Sequence, residues 1–230
     1  MRARLTAALA AGAAVALTAC STSSSDSATG PNGPAPYPSR SGAAAASSVS
    51  TPPVDESAIG QVLVTAHDLG RGFVRAQPDA PAALPCTPND PPVDDQVRHV
   101  DKGDAVFVND LGGVQVSEQV YVYGSVGDAQ RHESIDERGL GCEHGRFGST
   151  PVTVTGPIDL HSRLGQYSDS AEAWGVKTAR FSGAMIAVRI HAVVVQFAIV
   201  AETGARASVD ARQIVAAGVH KVLAAAATQR

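Results

Sequence analysis

The chain has 230 residues, 44% of them hydrophobic and 4% aromatic, with 18 Lys+Arg against 22 Asp+Glu and a formal charge of −4. A mildly acidic chain without a Lys/Arg run lacks the electrostatic footprint of a nucleic-acid binder and offers no basic patch to anionic lipid. Its length suits one ordinary domain plus a tail.

Residues 1–20 read MRARLTAALAAGAAVALTAC. Arg2 and Arg4 lead an uncharged Ala/Leu/Val run that ends in Leu17-Thr18-Ala19-Cys20, the layout of a secretory signal and too short for a spanning helix. The last four residues resemble the bacterial lipobox: Leu, a small residue, Gly or Ala, then Cys. The resemblance implies cleavage before Cys20 and a diacylglycerol on its sulfur, giving an exported protein anchored to the outer face of the cell membrane. Ordinary cleavage with Cys20 as a free thiol is the alternative. Residues 1–19 therefore read as a lipoprotein signal peptide. Residues 20–54 are rich in Ser, Ala, Thr, Gly and Pro with almost no large apolar side chain. Such a segment cannot offset its ordering entropy by burial, and it is expected to be a flexible stalk.

A folded domain is expected over 55–230. Ile59, Val62, Leu63 and Ala66 recur at helical spacing, so the pattern predicts a helix over 56–67, capped by Asp55 or Ser57 and stopped by Gly70. Prolines 78, 81, 85, 88, 91 and 92 make an irregular loop that Cys86 would pin. After a Gly112-Gly113 turn, 114–123 alternates as a strand, with Val114, Val116, Val120 and Val122 on one face and Gln115, Ser117, Gln119, Tyr121 and Tyr123 on the other. Glu118 falls among the valines. A carboxylate buried there is costly without a partner, so a bulge or a strand edge that turns it outward is the expected explanation.

The stretch Ser125-Val126-Gly127-Asp128 has the form of a capping box and predicts a helix over 128–138, ending at Gly139 and Gly141. Strands follow over 152–155 and 171–181, with a Ser182-Gly183 turn, then 184–189 and 192–201. A reversal at Arg189-Ile190-His191 would pair the last two, and a single long bent strand is the alternative. The closing helix is capped by Ser208 or Asp210, with Ala211, Ile214, Val215, Gly218 and Val222 as its buried stripe. Strands bunched together rather than alternating with helices predict an α+β fold: a mostly antiparallel, curved β-sheet with helices packed on one face.

Cys86 and Cys142 remain once Cys20 is lipidated. In an oxidising compartment an isolated pair forms a disulfide, and closing so long a loop contributes roughly 4 kcal/mol. A metal pair and a catalytic thiol are the alternatives, the latter suggested only by Glu143-His144 beside Cys142. Little other catalytic chemistry is legible, and no cofactor is expected. Ser125 sits near a G-x-S-x-G pattern, but the first Gly is displaced and a helix cap fits better. The seven histidines form no HExxH, and each reads as a surface or turn residue. Asp94-Asp95 and Asp101 lack EF-hand spacing, so no metal site is assigned. Glu133, Asp136 and Glu137 read as the solvated face of a helix.

Four features together resemble one family: the stretch from Val62 to Gly70, the Cys86 loop, the strand–helix unit from Gln119 to Ala129, and the late strands carrying Trp174. They are similar to the extracellular sensor domain of mycobacterial serine/threonine kinases (PknH-like sensor domain), which also occurs in stand-alone actinobacterial lipoproteins. The resemblance spans about 57–226. It implies an α+β domain whose concave sheet forms a cleft for an unidentified ligand, and it carries no established catalytic residues. The family commonly has two disulfides, whereas here only Cys86 and Cys142 are available, and no kinase domain is present.

Tyr121 and Tyr123 share a strand face, and Trp174 lies on a later strand. If the faces coincide they form an aromatic floor of the kind that holds glycans and apolar ligands, with Arg189 as polar anchor. Core or edge packing is the alternative for each residue. The expectation is a non-catalytic envelope lipoprotein that binds a small molecule, a glycan or an envelope protein. A secreted hydrolase and a structural adaptor are the alternatives.

Overall fold

The structure, a computed structural model, describes residues 56–78, 83–109, 113–164, 167–205 and 209–228. The expected signal peptide, Cys20 and the expected stalk lie outside them. Glu56–Val62 forms α1, Ala66–Leu69 α2 and Val74–Ala76 the short strand β1. Val93–Gln96 (α3) leads into β2 (Asp101–Asn109), β3 (Val114–Val122) and the helix α4 (Val126–Leu140). The chain then runs through β4 (His144–Phe147), β5 (Thr150–Asp159), α5 (His161–Leu164), β6 (Ser170–Lys177), β7 (Phe181–Ile190) and β8 (Val193–Glu202). It ends in α6 (Ala211–Thr228).

All eight strands belong to one antiparallel sheet of order β1-β2-β3-β8-β7-β6-β5-β4. β3 and β8 are neighbours in the interior of the sheet although α4 and four strands lie between them in sequence. From β3 the chain crosses by α4 to the far edge, enters β4, and returns strand by strand until β8 lies beside β3. The α+β, antiparallel expectation therefore holds. The helices, however, divide between the two faces instead of sharing one. The alternation within β3 explains this, because both of its faces carry residues that need cover. Val114, Val116, Val120 and Val122 join Phe107, Phe197 and Ile199 in the main core, which α1 and α6 cover. Tyr121 and Tyr123 on the other face pack with Ala129 and Ile135 of α4.

The helix predicted over 56–67 is two. Thr65 breaks it, because the Asp68 carboxylate accepts hydrogen bonds from the Thr65 N–H at 2.7 Å and from its hydroxyl at 2.8 Å. That local side-chain bonding starts a new helix. Asp68 Oδ2 also accepts from Lys221 Nζ at 2.5 Å, tying α2 to α6. Burial would raise the Asp68 carboxyl, but the bonds from Lys221 and Thr65 outweigh it and hold it below the usual carboxylate range.

Glu118 corrects a second expectation. β3 pairs with β2 and β8 without a register shift, so no bulge turns the side chain outward. It is fully buried beneath α6. Oε2 accepts the Val64 N–H at 2.5 Å, and Oε1 has no protein partner. Gly218 makes room for it: a Cβ there would lie 2.6 Å from both Glu118 Oε1 and Phe197 Cζ.

Ser125 caps α4 as expected, its Oγ accepting the Asp128 N–H at 3.1 Å. The β7–β8 hairpin also forms at the expected reversal, with Ile190 paired to Val193. His191 sits in the turn at φ 54°, and its N–H donates to Asp169 Oδ2 at 2.6 Å. The Ser182-Gly183 turn does not form. Both residues lie within β7, and the chain turns earlier, where Thr178 Oγ1 accepts the Arg180 and Phe181 N–H groups.

Candidate functional site

On the α4 face the middle of the sheet is polar. Cross-strand register places Asp104, Gln119, Gln196 and Ala187 in one row over β2, β3, β8 and β7. Ser117 and Ala198 flank the row on β3 and β8. Such a row cannot be sealed by an apolar helix without leaving amides unpaired, and α4 covers only its end. Residues 83–92 lie over the remainder. They are fixed by the Cys86–Cys142 disulfide and by backbone hydrogen bonds from Cys86 N to Gly139 O (2.9 Å) and from Arg146 N to Pro85 O (2.8 Å). Leu84 packs onto Gly139, where any Cβ would collide with it.

Between sheet, helix and loop lies a cavity of about 240 Å³. Gln115, Ser117, Gln119 and Gln196 form its floor, and Tyr121, Asp136 and Trp174 stand in its wall. Two of the wall groups are polar, buried and unanswered by the protein. Asp136 is 1% exposed and Trp174 2%, yet Asp136 Oδ1 and Trp174 Nε1 have no hydrogen-bond partner. Asp136 Oδ2 accepts from Gln196 Nε2 at 2.6 Å, which orients that amide on the floor. Tyr121 donates its hydroxyl to Gln119 Oε1 at 3.2 Å.

The structure brings two of the four sequence-derived ligand residues to this cavity, Tyr121 and Trp174. Tyr123 stacks behind Tyr121 with centroids 6.3 Å apart, and its hydroxyl bonds His132 Nδ1. Burial pushes both tyrosine hydroxyls well above their usual range, helped by the carboxylates of Asp94 and Asp136. Arg189 does not line the cavity. Its Nε donates to Glu133 at 2.6 Å and its terminal nitrogen to Asp169 at 3.0 Å, locking α4 to the β7 end of the sheet.

Sequence reasoning missed Asp136, Gln119 and Gln196. From sequence, Asp136 reads as part of a solvated helix face and His132 as a surface or turn residue, but both are buried. They stand four residues apart on α4, on the stripe with Ile135, Gly139 and Leu140 that faces the sheet. Gln119 was visible as a neighbour of Tyr121 on the alternating face, and Gln196 as a polar interruption in an apolar strand. Ser125 is engaged as a helix cap and Cys142 in the disulfide, while Glu143 and His144 beside it are exposed. Among the described residues no group of three or more His, Cys, Asp or Glu could hold a metal ion. Asp94 instead pairs with Lys102 at 2.6 Å.

This is a class of fold in which an open antiparallel sheet carries its terminal helices on one face and, on the other, a crossing helix beside a polar hollow. Among solved structures, the extracellular domain of PknH from Mycobacterium tuberculosis has this fold, at a TM-score of 0.56 and 11% identity over 76% of this chain and 98% of that one. The likeness in fold agrees with the resemblance in sequence. The sequence matches no family model and no curated protein.

Proposed function

We propose that this chain is a non-catalytic envelope lipoprotein whose exported domain binds a small polar ligand in the cavity beside α4. One observation carries the reading: Asp136 and Trp174 line the same cavity, and each keeps a buried polar atom without a protein partner, the acceptor Asp136 Oδ1 and the donor Trp174 Nε1. Buried polar groups in native proteins are hydrogen-bonded, and an orphaned one costs about 1–3 kcal/mol. A cavity with one of each suits an occupant that supplies both. The signal-like residues 1–20 and the fold likeness to an extracellular domain support the compartment.

Thermal unfolding of the full-length protein, with and without carbohydrate and lipid fractions of the envelope, tests the reading. A ligand at a hundred times its Kd adds about 2.7 kcal/mol, which raises Tm by roughly 5–11 °C in a domain of this size. One fraction is expected to give this shift, and Trp174→Phe and Gln196→Ala are expected to abolish it. A shift that survives both substitutions moves the site elsewhere. No shift from any fraction sinks the small-ligand reading and turns the search to a protein partner.

A further inference from the structure

The surroundings of Trp174 are acidic on both sides. Beyond the main cavity lies an alcove of about 70 Å³, lined by Glu133, Asp136, Glu137 and Glu172 with Ser170 and Ala187. Asp136 and Trp174 line both spaces. Among the described residues, no lysine or arginine lines either one. The cations that pair with lining carboxylates are Lys102, bound to Asp94, and Arg189, bound to Glu133 and Asp169. Glu133 also accepts the Ser170 hydroxyl, so its oxygens are answered. Among the described residues, Glu137, Glu172 and Asp136 have no lysine or arginine partner. The one cation-capable group facing Asp136 is His132, whose Nε2 lies 3.4 Å from Oδ2 without forming a hydrogen bond. Burial, reinforced by Glu137, Glu133 and Asp159, raises the Glu172 carboxyl. Burial and neighbouring like charges both disfavour the ionised form.

We propose that the ligand of this site carries an ammonium group together with hydroxyl or ether oxygens, the chemistry of an amino sugar or amino alcohol. The inference rests on the cavity reading and narrows it. The ammonium answers Asp136 Oδ1 and the alcove carboxylates, and removing an uncompensated buried charge is where a cationic ligand gains most. A neighbouring oxygen accepts the Trp174 N–H, which a bare polyamine cannot do. Anionic ligands are excluded because no arginine or lysine is left to meet them. The cavity is smaller than the roughly 300–1,000 Å³ of drug-sized sites, so the ligand is of monosaccharide size.

Three sugars sharing one ring and differing in charge test this: glucosamine, N-acetylglucosamine and glucuronate, titrated calorimetrically into the full-length protein. Glucosamine is expected to bind at least about tenfold more tightly than N-acetylglucosamine, the difference made by a charge-assisted hydrogen bond. Glucuronate is expected not to bind. Glu172→Gln should weaken glucosamine about tenfold and leave N-acetylglucosamine unchanged. The exposed Glu137→Gln should act in the same direction even if Glu172→Gln fails to fold. N-acetylglucosamine binding as tightly as glucosamine, with both weakened by Trp174→Phe, overturns the ammonium assignment and leaves the cavity reading standing. Absence of binding by all three overturns the assignment outright, and the envelope-fraction melts then decide the cavity reading separately.

Discussion

Glu118 is an acid without a full complement of partners. The Val64 N–H holds one oxygen, while Lys221 on α6 draws the group toward ionisation and Asp68 opposes it. Burial dominates and pushes the carboxyl up to about 7, from 4.5 in an open chain. The folded protein therefore keeps a proton that the unfolded chain releases. This raised group stabilises the fold fully below about pH 4.5, and the contribution is lost as pH rises through 7. Its size is on the order of 3 kcal/mol. Glu118→Gln supplies a permanently neutral isostere. The variant is expected to match the parent in denaturant unfolding near pH 4.5 and to exceed it by about 1–3 kcal/mol at pH 8. An identical pH slope in variant and parent would mean that Glu118 is ionised in its core. That Glu118 is anomalous was legible from the alternation of β3. That it is buried was not, because the room for it comes from Gly218, a hundred residues along the chain. Asp136 misled for a related reason: flanked by Glu133 and Glu137 it reads as solvated, and only its spacing from Ile135, Gly139 and Leu140 places it inward.

Elements were legible where one local rule decided them. The Ser125 cap, the alternation of β3 and the hairpin at His191 needed no distant partner. β2 was missed because it opens on Asp101-Lys102-Gly103-Asp104, polar residues with no strand signature, and forms by pairing on both sides with β1 and β3. Gly183 reads as a turn residue, yet it is a strand residue whose missing Cβ admits the backbone of β8. Glycine inside a strand marks such close approach as readily as a turn. The 83–92 loop was correctly expected to be irregular and pinned by Cys86, and its place over the cavity yields a test. Trp174 is the single tryptophan of the chain and stands in the wall beneath that loop. In the oxidised protein its fluorescence is expected to resist acrylamide. Reduction of Cys86–Cys142 under native conditions should raise quenching severalfold while the far-ultraviolet signal of the sheet persists, and should lower stability by roughly 4 kcal/mol. Unchanged quenching with both thiols titratable would mean that backbone bonds and Leu84 hold the loop without the bridge.

At the scale of the whole molecule the fold class and the family likeness were legible, but the strand order was not. Joining β3 to β8 inside the sheet is a long-range choice, made by covering both faces of the sheet at once, and no local pattern encodes it. The proposed placement of the molecule in the cell, by contrast, rests on a short stretch outside the described residues. Among the described residues no helix is long and apolar enough to cross a membrane, and the formal charge of −4 gives anionic lipid nothing to attract. Under the proposed function, membrane attachment rests on the lipid of Cys20. Each buried CH₂ contributes about 0.8 kcal/mol; one acyl chain gives only reversible binding, whereas two or more hold firmly. Cys20→Ala is therefore expected to lose fatty-acid label in cells and to pass from the membrane to the soluble exported fraction. Its thermal unfolding should stay unchanged, because the core clusters are built from residues between 59 and 225. A Cys20→Ala protein that still labels and still sediments with membranes would place the anchor elsewhere in the chain.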